Sequence, residues 1–405
     1  MAQDKPKLAV ADLEKHTYYF EIADNKLEGA GARFLTDEIK QSQFVLLGEY
    51  HGSMRIAEFT KAAIPVFSAA GCRTFALEIG PVSGEILSRL STNPDQAVSK
   101  LKTFNSKYAV VGKNRTFTPI PFFGGVEDAD FLTESRKEGW RLLGLDQEGS
   151  FAYVPLVDEM YANLGAKKQA EIKALYEQVT RSLSDFYLAG IADGKGHYKT
   201  ILDSKAFNQF LTLTEEGSPK NKKIADAIRF TSEIFYMNDN NVRKYYEANS
   251  DRIQYMKRSL AEGFRKLRFD TRKDRMLVKM GAVHTGRGFS PLSLFEVGNT
   301  LSEIAAFNGN RSLHIEFGAR YFIEDGKETD ALADEKGFLY RYQAFLQMAK
   351  NDQWTVIDLR PLRKTVFYQR KFDLDPIIHE IFKNHDLYIM PPKDRDATPN
   401  YTLKP

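Results

Sequence analysis

The chain has 405 residues, 42% hydrophobic and 27% charged, an ordinary globular balance with room for more than one structural unit. Its 57 basic and 54 acidic residues leave a net charge of +3, which excludes the basic footprint of a nucleic-acid or membrane-surface binder. The single cysteine, Cys72, excludes an internal disulfide and a thiolate metal cluster, and no apolar run approaches the ~18 residues needed to cross a bilayer.

Residues 1–40 read as a lead-in with helical stretches. The opening, Met1-Ala-Gln-Asp-Lys-Pro, has no signal-peptide core. It reads either as a cytoplasmic start or as the terminus of an exported, periplasmic protein whose leader has been removed, and the chain is expected to be soluble either way. Phe44-Val-Leu-Leu47 is a short apolar run, the pattern of a strand buried on both faces. Helical spacing follows over 56–70, with Gly71 as its stop, and a second strand over 74–77 ends in Glu78. Strand, helix and strand in that order mark a parallel sheet.

A helix begins at 84–90. Residues 103–125 carry turn formers and aromatics without a period and read as a long loop near the pocket. There Phe104, Tyr108, Phe117, Phe122 and Phe123 would form an apolar wall. A helix over 126–139 precedes a third strand, 141–145, ending in Asp146 and Gln147. Helical patterns alone fill 167–184, 205–214, 220–238 and 251–266. A fourth strand, 275–283, ends in His284, and the glycine loop Gly286-Arg-Gly288 follows. A helix over 292–306 and strands over 312–317 and 354–359 complete the pattern. The expected fold is α/β: a mostly parallel central sheet flanked by helices, with a helical insertion. Residues 1–152 form the first half of the α/β domain, 153–266 the insertion, 267–390 the second half and 391–405 an irregular tail.

Four strands thus end in polar groups: Glu49 with His51, Glu78, Asp146 and His284. In open parallel sheets ligands bind beyond the carboxyl ends of the strands, so these residues are expected on one rim. Glu49 and His51, two apart in an extended segment, point to the same side. A neutral imidazole there can take a proton from water while a carboxylate orients the ring, the chemistry of general-base hydrolysis. The position comparable to a nucleophile elbow holds Tyr50, and no phosphate-binding glycine motif follows a strand. Arg287 in its glycine loop could wrap an anion. His314 lies inside a strand and reads as a satisfied core residue. The same two imidazoles and two carboxylates, Glu49, His51, Glu78 and His284, could instead hold a divalent metal.

The segments Leu-Gly-Glu-Tyr-His-Gly52, Phe-Ala-Leu-Glu78, Leu-Leu-Gly-Leu-Asp146-Gln147, Asp-Arg252-Ile-Gln-Tyr-Met256 and Lys279-Met-Gly-Ala-Val-His284 resemble, in order, the motifs of the erythromycin esterase-like proteins. That group is related to the ChaN-like iron-uptake proteins and to the TraB/Tiki proteins. With Gly298-Asn-Thr-Leu and Ser312-Leu-His-Ile the resemblance spans about residues 44 to 320. It implies hydrolysis of an ester or lactone in a small-molecule substrate, with no required metal. His51 would be the general base, Glu49, Glu78 and His284 would complete the polar centre, and Arg252 would reach in from the insertion to offset charge on a carbonyl oxygen. Tyr50, Arg55, Glu58, Asp146, Gln147 and Arg287 would contact substrate. The sequence departs from the pattern at Tyr50, where the family carries a small residue. The acid after the motif is displaced to Glu58, Ile253 replaces an acid after Arg252, and Gly281 replaces a histidine. The reduced histidine motif is closer to the ChaN and TraB branches, and Tyr50 beside His51 leaves haem or iron binding as a non-enzymatic alternative.

Overall fold

A computed structural model describes residues 5–113, 115–239 and 241–403. Residues 1–4 of the opening, Asn114 in the 103–125 stretch, Asn240, and positions 404 and 405 of the tail lie outside the described residues. The architecture is mixed α/β, with a large, mostly parallel central sheet flanked by helices. The chain divides into two units. The first comprises residues 1–76, 125–141 and 264–398, and the second 77–124, 142–263 and 399–405.

In the first unit the strand Phe44–Glu49 is buried at every position, as its apolar run requires. It pairs in parallel with Arg275–Gly281 on one side, Phe44 opposite Met276 and Glu49 opposite Gly281, and with Ser312–Phe317 on the other. Leu387–Met390 continues the parallel order beside Ser312–Phe317. Trp354–Asp358, Thr17–Ala23 and Lys26–Glu28 then add an antiparallel edge. The lead-in expected to be helical therefore supplies two strands. The run Thr17-Tyr-Tyr-Phe20, β-branched and aromatic, favours a pleated surface over a helix. A core of Leu13, Phe345, Ile357, Phe382 and Tyr388 packs under this edge. The helix Met54–Ala69 starts at Ser53, whose hydroxyl accepts from the Ile56 amide and caps an otherwise orphaned donor.

Helices dominate the second unit: Pro81–Leu90, Ala97–Tyr108, Tyr153–Ala162, Ala166–Asp193, Lys205–Glu215, Pro219–Met237 and Tyr245–Leu267. Serine hydroxyls cap two of them, Ser204 and Ser218, and Pro219 stands in the first turn where its missing donor costs nothing. The stretch expected to be a loop over 103–125 is part helix, to Tyr108, and part hairpin, Val110–Val111 with Thr116–Phe117. Among the described residues no helix is long and apolar enough to cross a membrane.

Candidate active site

Of the candidate residues, Glu49, His51 and His284 belong to the first unit, and Glu78, Asp146 and Arg252 to the second.

In the first unit the parallel register sets the end of Phe44–Glu49 beside the end of Arg275–Gly281. The strand closes tightly. A Cβ on Gly48 would stand 2.9 Å from the Ala282 Cα and the Ile315 carbonyl oxygen, so only glycine fits. Gly52, at φ +88°, turns the chain just after His51. Between them Glu49 is buried and His51 is partly exposed. The His51 Nδ1 lies 3.2 Å from Glu49 Oε1. The other carboxylate oxygen, Oε2, accepts from the Lys279 ammonium, which is itself buried. Burial alone would raise the Glu49 carboxyl, but Lys279 and His51 outweigh it and hold it below its ordinary value.

Lys279 was not singled out by the sequence motifs. Its signal was a lysine inside the apolar run Arg275-Met-Leu-Val-Lys-Met, because buried lysines are rare unless paired. Asp128 belongs to the same field. Burial pushes its carboxyl up to about 7, with Lys279 opposing the rise and Glu49 adding to it. Its Oδ2 also accepts from the Gly125 amide at 3.0 Å, at the start of the helix Val126–Lys137.

The strand stops at Gly281, and His284 lies in the short helix Ala282–Thr285 that follows it. Its Nδ1 is 3.0 Å from Glu296 Oε2, and Ser290 donates to the other Glu296 oxygen at 3.0 Å. Glu296 is fully buried and precedes the helix Val297–Phe307. A second imidazole is thus oriented by a carboxylate. Arg287, expected to wrap an anion, forms a two-pronged pair with Asp386, one prong at 2.6 Å. Arg287 and Arg363 hold the buried Asp386 carboxyl far below its usual range, against the opposing effect of burial. That guanidinium already has its anion. His314 is the core residue expected: Nδ1 is 2.6 Å from the Thr285 carbonyl oxygen and Nε2 is 2.8 Å from the Ser312 hydroxyl. Burial lowers its pKa to about 3.

Tyr50 donates its hydroxyl to Asp394, which also accepts from Ser53 at 2.6 Å and from the Arg55 amide at 3.1 Å. Asp394 is buried although it lies in the tail, and nothing local in that Pro- and Asp-rich sequence marks it. Arg55 pairs with Glu58 at 2.8 Å. Both line a polar cavity of ≈650 Å³ together with Glu21, Lys61 and Trp354, and Glu49 and His51 are not in its lining.

In the second unit the Leu145 and Asp146 amides donate to the Leu77 and Ile79 carbonyls, at 3.1 and 3.0 Å, which sets Asp146 beside Glu78. Arg252, on the helix Tyr245–Leu267, donates from Nε to Asp146 Oδ1 at 2.9 Å and from Nη2 to Glu78 Oε1 at 3.0 Å. Burial works against the guanidinium, but Asp146 and Glu78 outweigh it and bind its proton more tightly than usual. Gln147 donates its amide to Asp146 at 2.7 Å, and its Oε1 is buried without a hydrogen-bond partner among the described residues. The neighbouring Glu148 was not foreseen. It is fully buried and accepts from the Val82 and Ser83 amides, at 2.7 and 3.1 Å, at the start of the helix Pro81–Leu90. Burial nevertheless keeps its carboxyl above the ordinary value.

Two contacts in the first unit bear on the groups suggested for a cofactor. A divalent cation at Glu49 would meet the Lys279 ammonium already against that carboxylate, a like-charge contact in a buried setting. Among the described residues no group of three or more His, Cys, Asp or Glu could hold a metal ion. Burial, with Asp394 adding to it, pushes the Tyr50 phenol well above its ordinary value, the reverse of what a phenolate ligand to haem needs.

No family model matches the chain, and no curated protein matches it. Solved structures do. A protein from Bacillus cereus superimposes with a TM-score of 0.54 at 14% identity, covering 95% of this chain and 97% of that one. A structure described as a succinoglycan biosynthesis protein gives 0.56 at 14% identity, with 96% and 97% covered. The erythromycin esterase EreC, a mutant in its open conformation, gives 0.56 at 13% identity, with 94% and 98% covered. At these identities the likeness shows a shared fold.

Proposed function

We propose that this protein is a hydrolase of ester or lactone bonds in which His51 is the general base. The observation that carries the reading is the orientation of His51 by a buried carboxylate, Glu49, that Lys279 keeps ionised. The fold shared with an erythromycin esterase is consistent with it. In the proposed reaction His51 Nε2 takes a proton from water as the oxygen attacks the carbonyl carbon. Glu49 stabilises the imidazolium that forms. The tetrahedral intermediate collapses with cleavage of the carbon–oxygen bond, and the imidazolium returns its proton to the leaving alkoxide. No covalent enzyme intermediate and no metal are needed. The sequence motifs extend the proposal to Glu78, His284 and Arg252 as further polar groups required for turnover.

The test is a panel of small carboxylic esters and lactones assayed with wild-type protein and His51→Ala. Thermal melts of both keep folding separate from chemistry. Hydrolysis by the wild type and its loss in the folded variant support the proposal. Equal rates in both remove His51 from the reaction.

A further inference from the structure

A second candidate site lies wholly in the second unit. The hairpin strand Thr116–Phe117, the start of residues 150–152 and the end of the long helix Ala166–Asp193 enclose a pocket of ≈590 Å³. That is within the ~300–1,000 Å³ range of small-molecule sites. Its wall is aromatic. Phe117 stacks on Phe151 with ring centroids 4.2 Å apart and planes at 11°, and Phe151 meets Tyr187 at 5.2 Å. The Tyr187 hydroxyl is fixed by donating to the Ser150 carbonyl at 2.9 Å, so its ring presents a face of fixed orientation.

The charged residues in the pocket's lining are basic. Lys113, Arg115 and Lys195 line the pocket, and no acidic residue does. None of the three makes an ion pair with a described residue. Arg115 lies over the Phe117 ring, 4.5 Å from its centroid. The nearby Asp193 carboxylate lies 2.9 Å from His197 Nε2, accepts from the Lys195 amide at 3.0 Å and interacts with the Lys195 charge. Other cations of the same unit are paired, as in Lys220 with Glu159 and Arg229 with Glu215. Lys113 and Arg115, with Lys195 partly offset by Asp193, lower the energy of an anion whose apolar body fills the pocket. They raise it for a cation and leave a neutral analogue with the apolar contact alone.

We propose that this pocket binds an amphipathic aromatic carboxylate, its ring within the aromatic wall that Phe117, Phe151 and Tyr187 build and its charge toward Lys113, Arg115 and Lys195. The proposal does not depend on the hydrolytic reading of His51. The experiment is isothermal titration of the full chain with 2-naphthoate, 2-naphthylmethanol and 2-naphthylmethylamine. It is repeated with the exposed-charge variant Lys113→Gln/Arg115→Gln/Lys195→Gln and with Phe117→Ala. Saturable binding of one naphthoate per chain is expected, with the alcohol at least tenfold weaker and the amine weaker still. The charge variant should lose at least tenfold for naphthoate while leaving the alcohol unchanged, and Phe117→Ala should weaken both. Absence of saturable naphthoate binding, equal binding of the three analogues, or undiminished naphthoate binding in the charge variant would overturn it.

Discussion

The Lys279 ammonium lies against the Glu49 carboxylate, two buried charges brought together by adjacent parallel strands. The pair holds the Glu49 carboxyl below its ordinary value, with its other oxygen 3.2 Å from His51 Nδ1.

Removing one partner leaves the other charge buried and uncompensated, which typically costs about 3–5 kcal/mol. Lys279→Met is expected to lose stability of that order in urea unfolding at pH 7. The double variant Lys279→Met/Glu49→Leu is expected to recover a substantial part of it. If the double variant is as unstable as the sum of the singles, the pair is not energetically coupled.

Asp128 and Glu49 predict opposite pH trends. Asp128 is raised in the folded state from 3.8 to about 7, so the folded protein holds a proton that the unfolded chain releases. Its penalty is absent below pH 3.8, grows through that window and is complete above about 7, where it amounts to roughly 4 kcal/mol. Asp128→Asn should therefore gain stability over wild type at pH 8 and little at pH 4. Glu49, held below its ordinary value, contributes stability above that value and loses it as the pH falls through its folded pKa. Urea midpoints of Asp128→Asn and wild type that differ equally at both pH values would contradict the assignment for Asp128.

Arg252 bridges Glu78 and Asp146 with a planar fork that an ammonium cannot reproduce. Arg252→Met should destabilise by about 3–5 kcal/mol, since two buried carboxylates lose their cation. Arg252→Lys should recover part of that loss. Hydrogen exchange in the helix Tyr245–Leu267 provides the readout, and unchanged protection in Arg252→Met would count against a structural role for the bridge.

A metal-free mechanism predicts that exhaustive dialysis against a chelator leaves ester hydrolysis unchanged, within the error of the assay. Loss of activity that zinc, manganese or iron restores would instead place a cation in the reaction. Haem titration is expected to leave the Soret region without a protein-dependent band, because Tyr50 is committed to Asp394.

Several of these features could be read from the sequence because they are local. The run Phe44-Val-Leu-Leu47 formed a buried strand, and Glu49 at its end and His51 in the turn just after it approach to 3.2 Å. Helical periods located most helices to within a few residues. What could not be read were charge partners supplied from afar. Lys279 reaches Glu49 across 230 positions, and Asp394 reaches Tyr50 across 344. The strand Leu387–Met390 was missed because four residues give too short a pattern, and its burial comes from its neighbours rather than its own period. Arg287 also has a partner from afar. Its glycine loop suggested an anion site, while Asp386, the partner that neutralises it, lies about a hundred residues away.

The most direct measurement is chemical rescue of His51→Ala with added imidazole. A general base of this kind typically contributes about 10²–10⁴-fold. The account predicts a loss of that size in kcat/KM for ester hydrolysis, a rate that rises in proportion to imidazole concentration, and a pH dependence of the rescued rate that follows the ionisation of free imidazole. A folded His51→Ala protein that hydrolyses esters as fast as wild type would contradict it.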